Sequence, residues 1–132
     1  KLPYNSTEKF AAENIVTKLL DNSIHLGRIC KSYKVNCFRF LQPVAAVDYD
    51  PPPDDLLTNW TQKKGLSSRF KHGYKIIRKK EEFTKIKGLI FKDTSNIFKN
   101  YSGIPYIDSG HYSPRANKLI AEEIYSVIEK VL

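Results

Sequence analysis

The sequence predicts an α/β protein whose strands lie in a parallel sheet. Two short runs rich in β-branched and aromatic residues, residues 35–41 and 104–107, are bounded by proline, glycine and turn formers, as buried strands are. Longer segments with apolar residues at three- and four-residue spacing stand before, between and after these runs. Because helices alternate with strands, we expect two parallel strands joined by a right-handed crossover, as part of a three-layer α/β/α sandwich.

The first helix is predicted to begin at Ser6 or Thr7 and to end close to Tyr33. Polar residues 22–23 and Gly27, one turn later, favour a kink or a break within it. Its apolar stripe consists of Ala12, Ile15, Val16, Leu19, Leu26, Ile29, Cys30 and Tyr33. We therefore expect a long surface helix that packs one face on the sheet.

The strand at residues 35–41 leads directly into a candidate binding residue. Pro43 ends the strand, and ligands of parallel sheets bind at the carboxyl ends of the strands. Gln42 is therefore a candidate for lining a binding pocket. The alternative is a structural hydrogen bond from Gln42 to a neighbouring loop, and the sequence favours neither.

Residues 44–75 have no sustained hydrophobic period, and we interpret them as a long loop or lid inserted into a single domain of residues 1–132. Trp60 lies in this segment and is a candidate for stacking on a sugar ring. Aspartates surround three consecutive prolines there, but their spacing fits no EF-hand pattern, so we predict no metal site.

A third segment, residues 74–90, is predicted to form an amphipathic helix, and residues 93–98 a capped helical turn. The region around this helix holds many of the basic residues of a chain with a formal charge of +8. Nucleic-acid binding is one interpretation of that charge. Because no aromatic residues alternate with the basic ones in a nucleic-acid motif, a solvated basic face is favoured.

Asp108 and His111 follow the second predicted strand and precede a helix. Across a tight turn, for which Gly110 could supply a positive φ, the carboxylate can accept a hydrogen bond from the imidazole Nδ1 and leave Nε2 as a base. Ser113 is predicted to cap the following helix and Pro114 to be its first residue. On pattern alone, such a pair is more often a structural turn than a catalytic one.

The segments around Asp108 and His111 resemble the C-terminal block of the SGNH hydrolases, the GDSL esterase/lipase superfamily. The resemblance covers residues 91–98 and 106–124, and residues 35–43 resemble the strand ending in Leu-Gln-Pro of many bacterial members. It implies a flavodoxin-like fold and a Ser-His-Asp triad in which Asp108 orients the imidazole and His111 is the general base. The implied activity is hydrolysis of an O-acyl carbohydrate or another small ester, without a cofactor.

The other parts of that family's active site are not found in this sequence. No Gly-Asp-Ser and no Gly-x-Asn-Asp occur, so we expect the nucleophilic serine, the oxyanion donors and the N-terminal strands to lie outside this chain. The chain alone is then predicted to be inactive, with its open sheet edge covered by the missing half or by a second copy. The alternatives are an acyltransferase on the same scaffold, or a non-catalytic basic module that binds nucleic acid or acidic glycan.

Two cysteines, Cys30 and Cys37, are interpreted as free buried thiols, with a disulfide left open. Three Asn-x-Ser/Thr sequons, at Asn5, Asn59 and Asn100, are interpreted as chance matches. The chain has no membrane-spanning run and no signal-peptide pattern, so no membrane partner is expected and the cytoplasm is slightly favoured.

Overall fold

The computed structural model describes residues 4–47, 49, 66–108 and 110–132. Within these ranges the chain is a mixed α/β protein, with β1 and β2 in a two-stranded parallel sheet. The elements in chain order are helix α1 (Tyr4–Tyr33), strand β1 (Cys37–Leu41), helix α2 (Leu66–Lys79), a 3₁₀ helix (Glu81–Lys85), strand β2 (Leu89–Asp93) and helix α3 (Pro114–Ile128).

The chain divides into two compact units. Unit 1 comprises residues 1–40 and 68–92, and unit 2 comprises residues 41–67 and 93–132. Unit 1 therefore holds α1, most of α2 and nearly all of both strands, whereas unit 2 holds α3 and the segment that carries Asp108 and His111.

Unit 1 is tied together by a close approach of two backbone segments. A Cβ at Gly27 of α1 would lie 2.6 Å from the carbonyl oxygen of Lys87 and 2.8 Å from Ile86 Cγ2. Gly88 faces Gly27 and has a φ of +83°, which non-glycine residues rarely adopt. Gly27 thus allows α1 to contact the turn that precedes β2. The helix is continuous over Tyr4–Tyr33, so the expected break does not occur.

Polar contacts reinforce the packing within unit 1. Glu8 is almost fully buried on α1, and its carboxylate accepts two hydrogen bonds from the guanidinium of Arg69 on α2. Arg39 of β1 donates to Leu19 O, at 3.3 Å, and to the hydroxyl of the buried Ser23. Glu8 and Ser23, the buried polar residues described in unit 1, therefore each have a partner supplied by another element.

The core of unit 2 is aromatic. Phe98 and Tyr106 are buried, and the ring of Phe98 lies 5.5 Å from that of Tyr106 and 5.7 Å from that of Tyr112. Ala45 and Ala116 complete the buried cluster, where small side chains leave room for the rings. Tyr112, the residue directly after His111, thus packs against this core and is half-buried.

Two predicted elements are wrong. Residues 104–107 are not a strand: Tyr106 forms an isolated antiparallel bridge with Tyr112, while Ile104 and Ile107 are exposed. The partner of β1 is instead β2, which lies inside and beyond the helix predicted at residues 74–90. That segment holds the end of α2, a 3₁₀ helix and a strand, because Gly88 turns the chain with a positive φ before Leu89.

The interpretation of the cysteines as free thiols is also wrong. Cys30, at the end of α1, and Cys37, the first residue of β1, form a disulfide with a Cα–Cα distance of 6.0 Å. Lys34 has a φ of 55° in the short connection between α1 and β1, and this tight connection brings the two cysteines together. Disulfides persist mainly in oxidising compartments, so this one weighs against the cytoplasmic expectation.

Candidate active site

The turn between Tyr106 and Tyr112 is shaped by the side chain of Asp108. Its Oδ1 accepts hydrogen bonds from the backbone N–H groups of Gly110, at 2.8 Å, and of His111, at 2.9 Å. Backbone bonds from Ile107 N to His111 O, at 2.9 Å, and from Ser113 N to Pro105 O, at 2.8 Å, close the turn. The turn does not use the positive φ that Gly110 could supply, since the positive-φ glycines of the described chain are Gly88 and Gly103.

The same carboxylate faces the imidazole of His111. His111 Nδ1 lies 2.9 Å from Oδ1 and 2.8 Å from Oδ2 of Asp108. The backbone N–H of Gly110, and after it the imidazole, hold the pKa of Asp108 below its usual value. An ionised carboxylate only accepts hydrogen bonds, so in the neutral imidazole the proton lies on Nδ1, which donates it to Asp108, and the lone pair lies on Nε2.

This pair is open to solvent within unit 2. The side chain of His111 is 80% exposed and that of Asp108 is 56% exposed. Solvent weakens the electrostatic interaction between the two groups, so the orientation depends mainly on the turn geometry and the hydrogen bonds. The exposure also leaves Nε2 accessible to an incoming hydroxyl group.

A tyrosine hydroxyl connects this turn to the end of β1. Tyr112 donates a hydrogen bond of 2.6 Å to the carbonyl oxygen of Pro43. Burial raises the pKa of Tyr112, so the hydroxyl stays protonated as a donor. Thr94, just after β2, donates to Leu41 O through both its backbone N–H, at 3.1 Å, and its hydroxyl, at 2.9 Å. The ends of both strands and the turn of Asp108 are thus joined within unit 2.

The start of α3 agrees with the prediction. Ser113 is the N-cap, its hydroxyl accepts from Ala116 N at 3.3 Å, and Pro114 is the first helical residue. Asn117 adds a bond of 3.3 Å from its side chain to the carbonyl oxygen of Tyr112. The helix therefore begins at a fixed position, with its first residue three positions after His111.

The remaining predicted site residues are Gln42 and Trp60. Gln42 lies between Leu41 and Pro43 and is exposed. Trp60 and most of the predicted lid lie outside the described residues. Among the described residues, no group of His, Cys, Asp and Glu could hold a metal ion. The contact between Tyr112 and Pro43 was not predicted, because nothing local in the sequence pairs residues so far apart in the chain.

Unit 2 also has a surface cleft of about 450 Å³ that the sequence did not predict. Arg115 lies in this cleft, with its guanidinium 5.4 Å from the centre of the Tyr101 ring. The lining residues are Ile97, Asn100, Tyr101, Ser102, Arg115, Lys118, Leu119 and Glu122. Neither Asp108 nor His111 lines it, so the cleft is not assigned to the Asp108–His111 pair.

Comparisons with known proteins give no match. No family model matches the chain, and no similar protein was found among curated proteins or solved structures. In the part of the chain that the structure describes, no helix is long and apolar enough to span a membrane.

Proposed function

We propose that this chain is the C-terminal part of an SGNH-type serine ester hydrolase, with Asp108 as the orienting carboxylate and His111 as the general base. The observation that supports this most is the contact of His111 Nδ1 with both oxygens of Asp108, which directs Nε2 away from the carboxylate. The bond from Tyr112 to Pro43 adds support, because it joins the Asp-x-x-His turn to the Leu-Gln-Pro segment.

The proposed chemistry begins with a serine hydroxyl supplied from outside this chain. His111 Nε2 takes the hydroxyl proton as the serine oxygen forms a bond to the acyl carbon of the ester. Asp108 stabilises the resulting imidazolium through the Nδ1 hydrogen bond and stays ionised throughout. His111 then gives the proton to the alkoxide leaving group as the carbon–oxygen bond of the ester breaks, and the acyl group stays on the serine.

Water completes the cycle by the same route. His111 Nε2 takes a proton from water as the water oxygen attacks the acyl carbon of the acyl-serine. It then gives a proton to the serine oxygen as the bond from that oxygen to the acyl carbon breaks and the acid leaves. If a sugar hydroxyl takes the place of water, the outcome is acyl transfer, and the roles of Asp108 and His111 are unchanged. The proposed substrate is an O-acyl carbohydrate or a similar small ester.

The finer architecture belongs to the same proposal. A parallel sheet of two strands is smaller than independent parallel sheets, which have helices on both faces and more strands. In the proposed enzyme, further strands extend the sheet of β1 and β2 into a three-layer sandwich. The segment that supplies them also supplies the serine and the oxyanion donors.

Ester hydrolysis tests this proposal. The protein encoded by the full gene is expected to hydrolyse p-nitrophenyl acetate, whereas the 132-residue chain is not. Replacing His111 with Ala should lower kcat at least about a thousandfold. Replacing His25, an exposed histidine of α1, should leave kcat unchanged. Full activity in the His111→Ala protein, or turnover by the isolated chain that depends on His111, would overturn the proposal.

A further inference from the structure

Positive charge is concentrated in one of the two units. Within the described residues, unit 1 has fifteen Lys and Arg against five Asp and Glu, whereas unit 2 has four against five. The basic character of the chain is therefore a property of unit 1. Charge that only served solubility would not need this separation.

Helix α2 contributes the densest part of that charge. Leu66–Lys79 contains no acidic residue, and its buried side includes Tyr74 and Ile77. We call the exposed residues Lys71, Lys75, Arg78 and Lys79 the basic face. Successive lysines at four-residue spacing rise about 6 Å along the helix axis, so the face is a linear row of cations.

Placing these lysines in one row lowers the stability of the helix, and the fold does not require that arrangement. Like charges four residues apart repel each other and destabilise a helix. Four of the five acidic residues of unit 1 are paired with other cations: Glu8 binds Arg69, Glu13 lies by Lys9, Glu81 by Lys85 and Glu82 by Lys80. The ion pairs within unit 1 thus leave Lys71, Lys75 and Lys79 without an acidic partner among the described residues.

A second basic feature lies elsewhere in the same unit. A cleft of about 510 Å³ has an apolar floor that includes Ile24 and Ile86. Its other lining residues are Arg28, Lys31, Glu82, Lys85 and Lys87, four of them cationic. Both the basic face of α2 and this cleft of unit 1 therefore favour anionic ligands.

The geometry limits which polyanion the basic face fits. A membrane-binding amphipathic helix inserts its apolar side, but the apolar side of α2 is buried in unit 1. The basic face has no aromatic side chain on which bases could stack, so it lacks the main feature of single-strand nucleic-acid sites. Disulfides such as Cys30–Cys37 persist in oxidising compartments, which include the extracellular space. Acidic polysaccharides are polyanions of that space, so they fit the disulfide better than nucleic acid does.

We propose that the basic face of α2 binds a linear acidic polysaccharide through its carboxylate or sulfate groups. Lys71, Lys75 and Lys79 contact successive anionic groups, and binding releases the counterions of the polymer. The inference does not depend on the proposed esterase, because it uses unit 1 alone and requires no catalysis.

Binding to immobilised polygalacturonate and heparin tests this, with dissociation constants measured between 50 and about 200 mM salt. Three substitutions, Lys71→Gln, Lys75→Gln and Lys79→Gln, should together weaken binding roughly tenfold or more and reduce its salt dependence. The matched control changes three exposed lysines of unit 2, Lys99, Lys118 and Lys130, to Gln. The same charge is removed there, so binding should fall less than about twofold.

Equal losses in the two triple variants would overturn the proposal, because only net charge would then matter. Tighter binding of double-stranded DNA than of either polysaccharide at equal charge concentration would also overturn it, in favour of nucleic acid. Gln and Lys have similar helix propensities, so α2 should fold in the triple variant. If it does not, the three single variants, each expected to lose about two- to threefold, give the same test.

Discussion

His111 Nδ1 lies 2.9 Å and 2.8 Å from the two carboxylate oxygens of Asp108, three residues earlier in the chain. Asp108 Oδ1 also accepts from the backbone of Gly110 and His111, so one carboxylate both closes the turn and orients the imidazole. The orientation of His111 therefore depends on a local motif, and it should persist in the chain without any further segment of the protein.

The titration of Asp108 tests which of these hydrogen bonds lowers the pKa of its carboxyl group more. Its pKa should lie below the usual 3.8, with the Gly110 N–H as the larger cause and the imidazole as the smaller one. Replacing His111 with Ala should therefore raise this pKa only in part, as followed by NMR of the side-chain carboxyl. A return to 3.8 in that variant would show that the imidazole, and not the turn, controls the carboxylate.

The lowered pKa of Asp108 determines how the stability of the turn changes with pH. Asp108 stabilises the folded turn above its unfolded-state pKa, near 3.8, and this stabilisation is lost as the pH falls through the lower folded pKa. The turn should therefore be intact at neutral pH and open in strong acid. Amide exchange at Gly110 and His111, compared between these conditions, measures the effect.

The close approach at Gly27 predicts opposite effects for two glycine substitutions. Gly27→Ala would place a methyl group 2.6 Å from Lys87 O, and should lower the free energy of unfolding by about 1–3 kcal/mol. Gly73→Ala on α2 is the control, because its nearest neighbour is Val16 Cγ2 at 3.8 Å. It should stabilise by about 0.5–1 kcal/mol in denaturant unfolding. Equal effects would disprove the packing of α1 described above.

Substitutions of Glu8 and Arg69 should differ in how much they lower the free energy of unfolding. The Glu8 side chain is 5% exposed and that of Arg69 is 45% exposed, so removing the arginine leaves a buried charge whereas removing the carboxylate leaves a hydrated one. Arg69→Ala should cost about 3–5 kcal/mol of unfolding free energy. Glu8→Gln should cost less than half of that, since Arg69 reaches water. A larger cost for Glu8→Gln would contradict the burial of this pair.

Reduction of the disulfide gives a further stability test. The loop between Cys30 and Cys37 is short, so closing it should stabilise unit 1 by about 2–3 kcal/mol in the chain-entropy treatment. Thermal unfolding with and without reductant should show this difference. The double variant Cys30→Ser, Cys37→Ser should unfold, with and without reductant, at the midpoint temperature of the reduced wild-type chain. Insensitivity of the wild-type chain to reductant would indicate that the thiols are free.

Features encoded by neighbouring residues could be predicted from the sequence. The Asp108–His111 pair, the Ser113 cap and Pro114 at the start of α3 depend on contacts within a few residues, and the structure has all of them. The strand β2 was missed because Ile86 and Ile90 also fit helical spacing, and only the positive φ of Gly88 shows that the chain turns there. The bond from Tyr112 to Pro43 depends on tertiary structure, so no local pattern could indicate it.

The tautomer of His111 tests the central claim most directly, because catalysis as proposed requires Nε2 to be an unprotonated base. It is measured by ¹⁵N NMR of the imidazole in the 132-residue chain, at a pH high enough to keep the ring neutral. We predict a proton on Nδ1 and none on Nε2, a preference that Asp108→Asn removes while His25 is unaffected. A proton on Nε2 in the wild-type chain would contradict the account.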